Sequence, residues 1–129
     1  MPEFCQLADR NTGKIIVPHL EIAATFWRRF WGLQFRASLA EGSGLLIVPC
    51  NSIHTFWMRF AIDVAFCDSS GVVLAVRENV RPWRATWPVP GAKMAVEFPA
   101  NSSLMQVGQQ VRLIWDDSAA VPKRLQAIC

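Results

Sequence analysis

No apolar stretch in this chain outlasts a single β-strand. The longest runs from Gly44 to Cys50, far short of the roughly 18 residues a spanning helix needs, so no membrane span is expected. Around it, short apolar runs alternate with turn residues, and that rhythm limits what the chain can become. Gly44–Val48 reads as a strand ended by Pro49, Ile53–Phe60 as a second and Asp63–Asp68 as a third. Ser69-Ser70-Gly71 makes a turn, and Val72–Arg77 returns as its hairpin partner. In Lys93–Phe98 alternation puts Met94, Val96 and Phe98 on one face and Lys93 and Glu97 on the other. Gln110–Trp115 is a last strand. Upstream, Asn11-Thr12-Gly13 is a turn, followed by a short strand, Lys14–Val17, that Pro18 stops. One segment breaks the rhythm: Ile22, Phe26 and Phe30 recur every fourth residue, which predicts a helix over 21–31, with Gly32 just past its end. The expected fold is therefore mostly β (α+β by strict count), a small β-sandwich or partly open barrel with one N-terminal helix near residues 21–31.

With 129 residues, the chain fits a single domain, 1–129, with an ordered core of about 12–115 and a loosely held C-terminal tail, 116–129. An apolar fraction of 52% against 18% charged residues excludes an intrinsically disordered chain. The net charge is +3, and the arginines are scattered from Arg10 to Arg124, so nucleic acid is not an expected partner. Cys5, Cys50, Cys67 and Cys129 form no CxxC, and neither His19 nor His54 stands at ligand spacing from a cysteine. No metal and no cofactor are expected. The start, MPEFCQLADR, has no apolar signal region, so the expected compartment is the cytoplasm, with reduced thiols.

Chemistry concentrates in Asn51–Asp68 and in the Pro-rich loop 78–92. On a strand, His54 would share a face with Phe56, Met58 and Phe60, and Thr55, Trp57 and Arg59 would take the other. A histidine among Phe and Met is more often a core histidine than a catalyst. Arg59 and Asp63 would lie about 13 Å apart on an unbroken strand, so they pair only if the chain turns between them. The common reading of such a pair is structural; the functional one has Arg59 presenting its fork to an anion. Glu97 is an ordinary solvated carboxylate unless it points into a pocket with Arg59. Trp83 and Trp87 sit among prolines, where they either cap the core or line a groove suited to sugar-ring stacking.

These residues also carry a family resemblance. Trp31-Gly32-Leu33, Gly42-Ser43-Gly44-Leu45-Leu46-Ile47, the run Cys50–Phe60 with Ile62-Asp63-Val64 and Phe66, and Val96-Glu97-Phe98-Pro99-Ala100 resemble the blocks of the DUF192 family. Asp68, Gly71, Pro82 and Gly108 match its turn positions. The chain departs at Ala61, Asn101 and Gln109, where members often carry Pro, Gly and Asp. Many members begin with a signal or lipoprotein sequence, which the start of this chain does not resemble. The resemblance implies a small, predominantly β domain with one helix packed on it, and no established activity.

Three functions compete. The leading expectation is a non-catalytic module that binds a glycan or small anion, with a pocket at the central signature. Its candidate residues are His54, Thr55, Trp57, Arg59, Asp63, Glu97, Trp83 and Trp87. The second is a hydrolase-type enzyme using His54 and a carboxylate, although no nucleophile elbow, P-loop or dinucleotide fingerprint is present. The third is a protein-interaction domain using the Trp-rich loop 82–91. Convergence of His54, Arg59, Asp63 and Glu97 around an open cavity favours the first two; dispersal moves attention to Trp83 and Trp87.

Overall fold

The computed structural model describes residues 3–25, 36, 38–115 and 121–129. Seven strands form one mixed sheet: β1 (Glu3–Asp9), β2 (Ile15–Ala23), β3 (Ser43–Ile47), β4 (Ile62–Cys67), β5 (Val73–Val80), β6 (Met94–Pro99) and β7 (Val111–Ile114). Their order across the sheet is β5-β4-β6-β3-β2-β1-β7. All neighbours are antiparallel except β2 and β3. The protein is thus mostly β. The sheet is neither two packed layers nor a closed barrel. It curls until its edge strands meet at one point, where Val72 bridges Gln110 and the Val73 N–H donates to the Gln109 carbonyl at 2.9 Å.

The curl separates two apolar clusters, one on each face, because successive strand residues point to opposite sides. On β6, Met94, Val96 and Phe98 join Leu7, Leu20, Leu46 and Leu113 in one cluster. Ala95 joins Leu45, Ile47, Ile62, Val64 and Phe66 in the other, together with Ile53, Met58 and Val89 from the loops. Gly71 allows the β4–β5 turn to reach β7. Its φ is +84°, and a Cβ there would lie 2.5 Å from the Val111 carbonyl oxygen. Asp68 closes the same turn, its Oδ1 accepting the Ser70 and Val72 N–H groups.

Several sequence expectations need correction. Glu21–Ala23 do not begin a helix: they finish β2, paired with Leu45–Ile47 of β3. The remainder of that expected helix, from Phe26 to Trp31, lies outside the described residues. Pro18 does not end the strand, because it sits where the β1–β2 register slips, between the Cys5–Leu20 and Leu7–Val17 pairs, and its missing N–H breaks no ladder bond there. β1 was not anticipated, since an irregular register blurs its alternation. Ile53–Phe60 is not a strand but a loop with a single bridge, His54 to Ala85. The tail is not loose throughout: Lys123–Ile128 form a short 3-10 helix that buries Leu125 and Ile128 completely. No helix among the described residues is long and apolar enough to cross a membrane.

Candidate functional site

Asp63 and Glu97 stand on adjacent strands but on opposite faces. Asp63 pairs with Phe98, and Glu97 with Val64, so alternation sends their side chains to different clusters. Asp63 is 1% exposed. Its Oδ1 accepts the N–H groups of Asn79, at 2.8 Å, and Asn101, at 3.0 Å. Both asparagines have left-handed backbones, with φ of 50° and 58°. Across from Asp63 the β4–β5 register slips: Ile62 pairs with Val80 but Val64 with Arg77. The carboxylate supplies the acceptor that this bulge removes from Asn79. Asp63 is an anchor for two chain reversals, and Arg59, which is exposed, makes no ion pair with it.

Glu97 lies between Leu45 and Val64 and is 3% exposed. Burial pushes its carboxyl up to about 8, against the opposing pull of Arg36. Its Oε2 and the Oδ2 of Asp63 are buried without a hydrogen-bond partner among the described residues. The sheet itself separates the two carboxylates, so they do not form the close pair that general acid–base hydrolysis uses. Among the described residues, no three His, Cys, Asp or Glu side chains gather as metal ligands.

The other predicted residues come together on two loops. Thr55, fully buried, is the knot. Its hydroxyl donates to the Arg81 carbonyl and accepts the Arg84 N–H at 2.9 Å. Its backbone N–H donates to the Arg84 carbonyl at 2.8 Å, and its carbonyl accepts the Trp83 N–H at 3.1 Å. Ile53 and Thr86 extend the zipper: the Ile53 N–H donates to the Thr86 hydroxyl, and the Thr86 N–H to the Ile53 carbonyl. Asn51 closes it by accepting the Val89 N–H at 2.9 Å. A buried threonine bonded to the backbone of Arg81, Trp83 and Arg84 explains why this stretch is a loop: its hydrogen bonds run to 81–86, not to a neighbouring strand.

On this frame sits a row of exposed rings. His54 lies 4.9 Å from Phe56, Phe56 lies 5.9 Å from Trp83, and Trp57 meets Trp83 edge to face at 4.8 Å, measured between centroids. Trp57 and Trp83 are 54% and 53% exposed, and Trp87 is 86% exposed. His54 is not a core histidine; it is exposed, and its Nδ1 accepts the Phe56 N–H at 3.3 Å. Trp57 and Trp83 both adopt left-handed backbones, with φ of 67° and 65°. That region is costly for a bulky L-residue. Sequence reasoning left Phe56, Arg81 and Arg84 out of the site; the absence of acidic residues from 51–61 and 81–92 was the available signal.

Three clefts of about 220, 330 and 460 Å³ lie elsewhere and are lined by none of the eight predicted site residues. In the aromatic row the described rings lie at the surface.

Comparison with known proteins places these features in a family. The family model DUF192, described as "Uncharacterized ACR", matches residues 7–113. A UPF0127 protein of Thermococcus sibiricus is 30% identical over 95% of this chain and 84% of its own. A UPF0127 protein of Pyrococcus abyssi is 35% identical over 74% of this chain and 86% of its own. A crystal structure of a protein of unknown function from Novosphingobium aromaticivorans has the same fold, with a TM-score of 0.74 at 20% identity, covering 84% of each chain.

Proposed function

The chain belongs to the DUF192 family, and we propose that it works as a non-catalytic binding module holding a glycan on the platform of Phe56, Trp57 and Trp83. One observation carries this reading. Two tryptophans are kept in left-handed backbone conformations and are still left half exposed. Strain of this kind costs about 1–3 kcal/mol per residue and persists only where the surroundings enforce it, here through the Thr55 zipper. Burial alone would not need it, because a buried ring could be delivered from an unstrained residue.

An exposed indole presents a flat apolar face with a polar N–H at its edge. A sugar ring offers the matching surface, with axial C–H groups on one side and hydroxyls around the rim. His54 and Arg59 supply hydrogen-bonding groups beside the rings. A protein partner docking through 82–91 is the competing reading, and Trp87 favours it as the most exposed ring of the loop.

The test is the Trp83→Ala variant, titrated with a panel of oligosaccharides by intrinsic fluorescence. Loss of about tenfold in affinity with an unchanged melting midpoint supports the platform. Unchanged affinity removes Trp83 from the contact surface and overturns it.

A further inference from the structure

We propose, resting on the glycan-platform reading, that the bound glycan is anionic, bearing carboxylates or sulfates along its chain. Loops 51–61 and 81–92 contain Arg59, Arg81 and Arg84 and no Asp or Glu. These two loops thus carry three positive charges and no carboxylate of their own.

All three arginines are exposed, and none is in an ion pair; among the described residues that interaction joins Arg36 to Glu21. Of the acidic residues flanking these loops, Asp63 and Glu97 are buried, and Glu78, exposed at the end of β5, is in no ion pair among the described residues. Arg84 Nη1 reaches only the Trp83 carbonyl, at 3.5 Å. The bases of Arg81 and Arg84 are pinned on either side of Trp83 through Thr55, and Arg59 follows Trp57 by two residues. Trp83 therefore lies between two arginines of its own loop. Guanidinium forks match carboxylate and sulfate oxygens two at a time, and such groups recur along an acidic polysaccharide.

Single-stranded nucleic acid shares this chemistry, but the geometry fits it less well. Trp57 and Trp83 meet edge to face at 4.8 Å, which leaves no slot for a base between them. Three cations are also few for a strand charged at every nucleotide.

The experiment titrates the full chain by tryptophan fluorescence with a polyuronate, a sulfated glycan, a neutral β-glucan oligosaccharide and an oligothymidylate. Each is measured at low salt and at about 0.3 M salt, where charge interactions at the surface are largely screened. Binding of either acidic glycan, weakened about tenfold by salt and by R59Q or R84Q, is the expected result; the two arms tell carboxylate from sulfate. In R84Q affinity for the neutral glycan stays as in the parent. Equal, salt-independent binding of neutral and acidic glycans overturns the anionic ligand and leaves the platform standing. Tighter binding of oligothymidylate overturns it in favour of nucleic acid. No binding in any arm, in a chain with its normal melting midpoint, overturns both readings.

Discussion

The strands and the loops of this protein invert the usual placement of polar and apolar groups. Strands β4 and β6 bury two carboxylates, Asp63 and Glu97, while loops 51–58 and 81–87 expose Phe56, Trp57, Trp83 and Trp87. Water would reward the opposite arrangement in both places. The inversion has different causes. Asp63 is buried because two backbone N–H groups need it; the tryptophans are exposed although nothing in the core needs them to be. The contrast teaches where to look for function. A buried carboxylate that accepts two backbone N–H groups is architecture, whereas an exposed ring on strained backbone is where function is to be sought.

The largest effect is expected where the architectural carboxylate is removed. Asp63→Ala strands the Asn79 and Asn101 N–H groups, at a cost of about 3 kcal/mol or more. The urea midpoint should fall sharply, and Asp63→Asn, which retains an acceptor, should recover part of the loss. A midpoint unchanged in Asp63→Ala would break the claim that the strand region is structural.

Glu97 sharpens the contrast through pH. Its carboxyl is pushed from 4.5 to about 8 by burial, so the folded state binds the proton more tightly than the unfolded state. The contribution of this group to stability is greatest below about pH 4.5 and declines as pH climbs toward 8. Because the group is fully buried, the decline should reach a few kcal/mol. Glu97→Gln cannot ionise and should flatten that part of the profile. Urea midpoints from pH 5 to 9 measure it; parallel profiles for parent and variant would mean Glu97 is already ionised in the fold.

In the loops, stability effects should be small. Trp57→Gly releases left-handed strain worth about 1 kcal/mol and gives up the packing of a half-buried ring, so unfolding should shift by no more than about 1 kcal/mol while glycan binding is lost. A collapse of the fold would make Trp57 a core residue and break the comparison. Arg59→Ala should be the mildest change, within about 0.5 kcal/mol, since the side chain is exposed and in no ion pair among the described residues. A larger loss would show that its head group is held in place.

How much of this was legible follows from the kind of signal each element carries. β3, β4, β6 and β7 were readable because each buries residues in a regular short pattern: β4 and β6 are buried almost end to end. The β4–β5 turn was readable because Asp68 and Gly71 act within a few residues. The segment 53–60 alternates as convincingly as any strand and is none, because its partners, Arg81, Arg84 and Thr86, lie some 30 residues away. The fourfold spacing of Ile22, Phe26 and Phe30 suggested a helix, yet Ile22 belongs to a strand that pairs in parallel with β3.

What the sequence by itself determined is the class of structure and the segments that build it. Short apolar runs between turn residues permit strands and little else, and these signals are local. The tertiary structure alone decided which side of the sheet each functional group faces. A register shift of a single residue moves a side chain across the sheet, so the placing of Asp63 and Glu97 on opposite faces rested on strand pairing. The same holds for the tryptophans: their exposure depends on a buried threonine binding a distant loop, a contact that no local pattern encodes.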